Sequence, residues 1–529
     1  MQIKFLTGAI AAAVIVTTPA CVRVVETRTP VPPPAGDTAA RAPVQRGGPL
    51  RYSAARSPVD LPAPDREFRG VWIATVENID WPSRSDLSTD RQKTELIELL
   101  DAAAGLHLNA IILQIRPAAD ALYASDIEPW SRYLTGLTGR PPAPHWDPLA
   151  FAVTEAHARG LELHAWFNPF RASVTTKEIA DPSHITRSQP DLVVSYGTKK
   201  WLDPGLPAAR AHSLRVIVDV VRRYDIDAVH VDDYFYPYVE QDAAGRNIPF
   251  PDDASYARYR DGGGDMSLGD WRRNNINTFV RDMYNEVHRT KPWVQVGISP
   301  FGIWRPGSPP SVRGLDAYAV IYADARTWLR NGWLDYIAPQ MYWLTDAPGQ
   351  KYTDLTAWWV GENVMGREVV FGNAPFNTAR PGWSIGEITR QVELTRALPG
   401  ASGNIYFSAK NILRGNNGLR ELLTGDAYRT QALTPELPWI AAGSVSAPRA
   451  RIVTDERAHL ISLDWSREQH LAHAFLLRTR TNGVWSMTVV PGNTTVKAVS
   501  YASAPPDVIA LSVIARNGVE GPAQVFVRN

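Results

Sequence analysis

The sequence predicts an α/β protein built as a (β/α)8 TIM barrel over residues 67–430, followed by a small all-β sandwich over residues 439–529. Three observations carry that expectation. Eight short β-type runs alternate with longer helical patterns through the middle of the chain. Most of those runs are solidly apolar on one parity and polar on the other. After residue 439 the helical periodicity stops, and short alternating runs separated by turn residues replace it.

The chain opens with Lys4, an apolar, Ala-rich stretch over residues 5–18, and the small residue Ala20 ahead of Cys21. The stretch is too short to span a bilayer, so residues 1–21 read as a signal peptide. The position of the chain's single cysteine resembles the acylation site of bacterial lipoproteins, which makes Cys21 the candidate lipidation residue. Thr18 and Pro19 stand where such signals usually carry Leu and a small residue, and cleavage after Ala20 is the rival reading. Either way the expected location is the bacterial cell envelope, lipid-anchored or secreted. One cysteine excludes an internal disulfide and a thiol-based metal site. Residues 22–66, rich in Pro, Ala and Arg without apolar periodicity, read as an extended tether.

The strand candidates are residues 70–76, 109–115, 162–167, 228–232, 294–299, 336–342, 369–373 and 404–408. Helical patterns cover 91–105, 147–159, 208–224, 271–290 and 385–398. A doubly wound sheet would alternate in the same way, and side-chain parity favours the barrel. On the fourth strand Val229 and Val231 face the helices, which turns His230 and Asp232 inward. The same rule puts Gln114 and Arg116 inward on the second strand, His164, Trp166 and Asn168 on the third, and Gln295 and Ser299 on the fifth. It also puts Gln340 and Tyr342 inward on the sixth strand, and Asn404 and Tyr406 on the eighth. A buried polar group without a partner costs about 1–3 kcal/mol, so polar side chains gathered at strand ends mark a site. His164 and His230 lie deeper and are expected to be structural.

The formal net charge of +1 gives no electrostatic footprint for nucleic acid. The 18 Trp and 19 Tyr outnumber the 14 Phe, an excess of rings with a polar edge that suits sugar faces. Polysaccharide is therefore the expected ligand. Glycoside cleavage needs a proton donor for the leaving oxygen and a second group that stabilises the oxocarbenium-like centre. Asp232 and Asp233 close the fourth strand and are the candidate catalytic pair. Glu77 and Asp80, after the first strand, are candidate second acids, and Asp120 follows the second. The inner set holds no further strand-end acids to complete an oxygen cage, so neither a metal nor a cofactor is expected. Adjacent carboxylates aim in different directions. The second role then falls to an acid across the barrel or to the substrate's own 2-acetamido group. Arg116, Asp120, Trp166, Asn168, Tyr234, Gln340, Tyr342, Trp343 and Tyr406 are the candidate substrate-binding residues.

Five motifs fall at strand ends. They are Arg66-Glu-Phe-Arg-Gly-Val-Trp-Ile-Ala-Thr-Val-Glu-Asn-Ile-Asp-Trp-Pro-Ser, Ala110-Ile-Ile-Leu-Gln-Ile-Arg-Pro-Ala-Ala-Asp-Ala-Leu-Tyr, Ala165-Trp-Phe-Asn-Pro-Phe-Arg, His230-Val-Asp-Asp-Tyr-Phe-Tyr-Pro-Tyr and Ala338-Pro-Gln-Met-Tyr-Trp. Together they resemble the glycosyl-hydrolase-like family 10 domain over roughly residues 67–430. The resemblance implies a (β/α)8 fold and action on glycans, with peptidoglycan strands the favoured substrate of an envelope-anchored member. A non-catalytic glycan-binding lipoprotein is the alternative that fold alone leaves open. The run from Leu511 to Gly521 resembles the last hairpin of a fibronectin type III module, expected to act as a spacer or packing partner. The sequence leaves any protein partner of that module unnamed.

Overall fold

The computed structural model describes residues 50–529, apart from 416–417, 442 and 466–471. Cys21, the expected signal peptide over residues 1–21 and residues 22–49 of the expected tether lie outside the described residues.

Eight parallel strands close into a barrel: β1 Phe68–Ile73, β2 Ala110–Arg116, β3 Glu162–Phe167, β4 Ala228–Val231, β5 Gln295–Ile298, β6 Tyr336–Ile337, β7 Glu368–Asn373 and β8 Gly403–Tyr406. Each pairs with its neighbours in sequence, and β8 returns to β1. Helices such as Thr89–Gly105, Pro207–Arg223 and Leu268–Thr290 fill the crossovers. Their starts follow from local chemistry. Ser88 and Ser267 accept the backbone N–H of Arg91 and Asp270, and Asp147 caps a helix whose first residue is Pro148.

Alternation divides the barrel into two cores. Val71, Ile111, Leu163, Val229, Val296 and Phe371 pack outward under the helices. Phe68, Trp72, Ile112, Trp166, Tyr336, Val370 and Ile405 fill the lumen. This matches the parity expected for β2 to β6 except at Arg116, and β8 departs from it. Ile405 is the lumen residue of β8, while Tyr406 packs in the outer core with its hydroxyl 2.6 Å from that of Tyr428. Asn404 also points outward, donating to Asn373 Oδ1 at 2.8 Å and to the Thr395 hydroxyl at 3.1 Å.

The C-terminal region is a two-sheet antiparallel sandwich. One sheet holds Ala450–Asp455, Leu460–Trp465 and Val496–Ser500, and the other is built on Ala472–Thr481, Val484–Pro491, Val508–Ala515 and Gln524–Arg528. The tether expected over 22–66 is shorter than the composition implied. Tyr52–Ala54 forms a fifth strand of the larger sheet, paired with Gln524–Arg528, and the Tyr52 hydroxyl donates to the Pro506 carbonyl at 2.6 Å. A three-residue edge strand is too short to leave a periodic pattern, and most of its pairing information lies some 470 residues away in the chain.

The sandwich caps the N-terminal end of the barrel strands. Arg516 reaches Asp225 at 2.7 Å, and His473 lies 3.7 Å from Glu162 and 3.6 Å from Asp227. In the segment leading to the sandwich, Thr434 donates to Glu162 at 2.8 Å and Trp439 Nε1 to Asp335 at 2.8 Å. Asp232 and Asp233, which follow β4, lie at the opposite, C-terminal end of the barrel.

Candidate active site

The lumen's polar residues form two groups. The deeper group is closed. Trp72 Nε1 can only donate, and it lies 3.1 Å from His230 Nε2, so that nitrogen accepts and the His230 proton sits on Nδ1. His230 Nδ1–H then donates to the Tyr336 hydroxyl at 2.8 Å, the hydroxyl donates to His164 Nδ1 at 2.8 Å, and His164 Nε2–H donates to Glu162 at 2.9 Å. Burial and the neighbouring His164 hold His230 well below the usual imidazole range, in agreement with this neutral tautomer. A fully satisfied chain of this kind explains polar residues inside a barrel without assigning them chemistry.

The upper group surrounds the end of β4. Asp232, 4 % exposed, accepts Trp166 Nε1–H at 3.1 Å, Asn168 Nδ2–H at 3.2 Å and the backbone N–H of Tyr234 at 3.2 Å. Three donors would ordinarily keep a carboxylate ionised. Burial outweighs them, and although the Arg171 guanidinium pulls the other way, Asp233 adds to the push and the carboxyl is raised to about 6. Asp233 accepts from the Tyr238 hydroxyl and from Gln340 Nε2 at 3.1 Å. Gln340 is in turn held by the Ser299 carbonyl at 3.0 Å. Burial raises Asp233 too, opposed by the Tyr238 and Gln340 hydrogen bonds.

Aromatic rings line the mouth. Tyr234 meets Tyr238 with centroids 5.5 Å apart, Tyr238 meets Phe301 at 6.4 Å, and Phe301 meets Trp343 edge-on at 5.6 Å. A second run joins Tyr342 to Phe376 at 5.5 Å and Phe376 to Phe407 at 6.1 Å. All of these rings are half-buried. Burial and the field of Asp233 raise the Tyr342 phenol well above its usual range.

Of the residues selected from sequence, the structure gathers Asp232, Asp233, Trp166, Asn168, Tyr234, Gln340, Tyr342 and Trp343 at the C-terminal end of the barrel strands. Four others are occupied elsewhere. Arg116 is fully buried, with its Nε 2.7 Å from Glu128, which also binds His212 Nε2 at 2.8 Å. A register shift between Gln114 and Arg116 turns the side chain off the simple alternation, and the residue serves as a structural ion pair. Asp80 is a clamp: it accepts the Ala74 and Lys410 backbone N–H groups at 2.8 and 2.9 Å and the Ser408 hydroxyl at 2.7 Å, joining the loops after β1 and β8. Asp120 is buried, accepts the Ala118 N–H at 3.0 Å, and lines a small recess with Tyr133 and His184. Tyr406 is in the outer core, as described above. Glu77 is exposed in the turn after β1, in left-handed backbone at φ 54°, and no hydrogen bond holds its carboxylate. Sequence reasoning passed over Arg171, Tyr238, Phe301, Phe376 and Phe407. Arg171 and Tyr238 stand inside the third- and fourth-strand motifs, where the signal was present and unused.

The glycosyl hydrolase-like 10 family matches residues 67–373, which contain Asp232, Asp233 and their hydrogen-bond partners. The chain is 42 % identical over 408 residues to the glycosyl hydrolase YngK of Bacillus subtilis, covering 74 % of this chain and 78 % of that one. It is 35 % identical over 383 residues to the glycosyl hydrolase DigH of Escherichia coli K12, covering 66 % of this chain and 85 % of the relative. Among solved structures, the PgaB (BpsB) glycoside hydrolase domain of Bordetella bronchiseptica aligns with a TM-score of 0.45 at 14 % identity, over 68 % of this chain and 98 % of that domain. With a match across the whole site and relatives covered over most of their length, the chain belongs to the glycosyl hydrolase-like 10 family and is a glycoside hydrolase.

Proposed function

We propose that the protein cleaves glycan chains of N-acetylated amino sugars, peptidoglycan strands in the cell envelope, with Asp232 as proton donor and Asp233 as the stabilising carboxylate. The observation that carries this reading is the isolation of the pair. Asp80 is consumed by structural hydrogen bonds, Asp120 is buried in a separate recess with Tyr133 and His184, and Glu77 is exposed at the rim. No carboxylate among those candidates stands opposite the pair to attack the anomeric carbon. A substrate that supplies its own nucleophile, the acetamido oxygen, fits a site with two adjacent acids on one strand.

The division of labour follows from the environments. Asp232 is pushed up to about 6 and keeps its proton into the range where a leaving oxygen can take it. Asp233, held by Tyr238 and Gln340 against the push of burial, is the partner we assign to orient the acetamido N–H and balance the developing positive charge. In this reading the Tyr342 hydroxyl hydrogen-bonds the acetamido oxygen. The half-buried rings from Tyr234 to Trp343 give sugar faces an apolar floor. Export and a lipid anchor at Cys21 would place this site on the envelope polymer.

The test is release of soluble products from purified glycan strands, with and without stem peptides, by the wild type, Asp232→Asn and Asp233→Asn. The reading requires products from the wild type and loss of at least about 100-fold in each folded variant. Strand binding without product release, or cleavage confined to glucans that lack the acetamido group, overturns it.

A further inference from the structure

The buried ion pair of Arg116 and Glu128 reaches the end of β4 through a single turn of chain. Glu128 accepts from Arg116 Nε at 2.7 Å and from Arg116 Nη2, and it also takes His212 Nε2–H at 2.8 Å. Arg215 Nη2 donates to His212 Nδ1 at 3.0 Å, which fixes that histidine's proton on Nε2. One edge of the guanidinium is thus spent on the carboxylate. The remaining nitrogen, Nη1, donates to the Asn168 and Pro169 carbonyls at 2.5 and 3.1 Å. The contact is returned: the Asn168 backbone N–H donates to the Arg116 carbonyl at 2.9 Å, and Arg171 Nε donates to the Pro117 carbonyl at 2.9 Å. The Ser213 hydroxyl adds a second donor to the Pro169 carbonyl at 2.5 Å. The turn from Asn168 to Arg171, which follows β3, is therefore clamped on the residues that end β2.

That turn carries Asn168. Its Oδ1 accepts the Arg171 backbone N–H at 2.8 Å, so the amide has one orientation, and its Nδ2 faces both oxygens of Asp232 at 3.2 Å. Every member of the series Glu128, Arg116, Asn168 and Asp232 is buried, at 4 % exposure or less. Barrel closure alone does not call for this arrangement, because well-packed apolar side chains stabilise a core as well as a buried ion pair does. A planar fork that grips a carboxylate on one edge and two carbonyls on the other gives a fixed geometry instead.

We infer that Arg116, held by Glu128, is a positioning residue for the proton donor: it sets the turn after β3 so that Asn168 Nδ2 stays on the Asp232 carboxyl. This rests on the reading of Asp232 as the proton donor. Arg116 makes no contact with Asp232 and acts through Asn168. Hydrogen bonds from the amide favour the ionised carboxylate and hold its plane. When the turn loosens, Asp232 keeps its proton to higher pH and aims it less well. The basic limb of the rate profile, which a proton donor governs, then moves up, and turnover falls while substrate binding changes less.

The experiment is a pH series of kcat and KM on glycan strands. Arg116→Lys keeps a charge opposite Glu128 but has no fork for the two carbonyls. It is expected to lower kcat about 10- to 100-fold, to change KM by no more than about 2-fold, and to move the basic limb up by about 0.5–1 pH unit. Asn168→Ala should move the limb in the same way, and adding Arg116→Lys to it should move the limb no further, since the two act in series. Arg478→Lys loosens a buried ion pair of the sandwich, with Glu520, and should leave kcat and the limb unchanged. Additive shifts, or a limb that Arg116→Lys moves no more than Arg478→Lys does, overturn the inference. Should Arg116→Lys not fold, Ser213→Ala removes only the hydroxyl donor to Pro169; a smaller shift in the same direction supports the inference and an unmoved limb overturns it. The titration of Asp232 is also read without turnover, from the pH dependence of urea unfolding of each protein against its Asp232→Asn partner. If the wild type releases nothing from glycan strands, the proposed function fails, and the unfolding pairs decide the positioning role alone: the same upward shift in Arg116→Lys supports it, and none overturns it.

Discussion

Replacing Asp232 by Asn should make the protein more stable relative to the wild type as the pH rises, while removing its activity. The carboxyl moves from an ordinary 3.8 to about 6 on folding, roughly two pKa units, or about 3 kcal/mol. The folded state therefore holds the proton more tightly than the unfolded chain. Its stability is undiminished below the unfolded value, falls as the pH rises from about 4 to about 6, and stays lowered above that window. An asparagine does not ionise and escapes that loss. It brings its own cost, because the site presents only donors: Trp166 Nε1, Asn168 Nδ2 and the Tyr234 N–H all point at the carboxylate oxygens. The amide NH2 would face one of them, at about 1–3 kcal/mol. That cost does not vary with pH, so the informative quantity is the change in the variant-minus-wild-type difference between pH 4 and pH 8. It should favour the variant at high pH by about 2–3 kcal/mol. Urea unfolding of both proteins at pH 4, 5, 6 and 8 measures it. A difference constant within about 0.5 kcal/mol would show that Asp232 titrates as an ordinary surface acid, and the assignment of the proton donor would be lost with it.

Tyr238→Phe removes a donor that holds Asp233 down, so the Asp233 carboxyl should rise further and the acidic limb of the kcat/KM profile should move to higher pH, which a pH series on glycan strands would register. Asp80→Ala should cost about 2–4 kcal/mol in unfolding free energy by stranding the Ala74 and Lys410 N–H groups, while the folded fraction retains most of its kcat; a loss of turnover without a loss of stability would return Asp80 to the chemistry. Burial alone would raise Glu128, but Arg116 and His212 outweigh it and hold the carboxyl at about 2. That stabilisation is complete above about 4.5 and is lost as the pH falls towards 2. Glu128→Gln should flatten this acid limb of the unfolding curve and, by leaving Arg116 buried without a counter-charge, cost about 3–5 kcal/mol at neutral pH.

The barrel was legible because its outer parity is an unbroken apolar signal: Val229 and Val231, or Ile111 and Leu113, have no alternative but to face the helices. Position along a strand then located Asp232, Asp233 and Gln340 without any contact information. The rule failed where it treated polar as meaning inward. On β8 the outward layer is itself polar, with Asn404 joined to Asn373, Thr395 and the Tyr352 hydroxyl. The lumen residue Ile405 therefore looked like the outer one. Arg116 misled for a different reason. A local shift in register breaks the alternation, and its partner Glu128 lies on a loop with no periodic signature. Parity reports the direction of a side chain only while the strand stays regular and only one of its faces is apolar.

What separates site from scaffold in this barrel is spare hydrogen-bonding capacity, more than polarity or depth. His164, His230, Tyr336 and Glu162 are as polar as anything at the mouth, yet Trp72 fixes the tautomer of one histidine and the rest follow until the chain ends on Glu162. Glu162 also takes the Thr434 hydroxyl from the segment that leads to the sandwich, so one deep network serves both the barrel core and the contact that closes its N-terminal face. At the other end the account does not balance internally. Asp232 is raised despite three donors, and the Tyr133 hydroxyl lacks a partner among the described residues. A folded protein tolerates such groups where a ligand completes them, because the free energy withheld from folding is then available to binding. Asp80, an acid at the right height, leaves the catalytic set because its hydrogen bonds tie the loops after β1 and β8 together, and Asp120 leaves it because it lies in a separate recess with Tyr133 and His184.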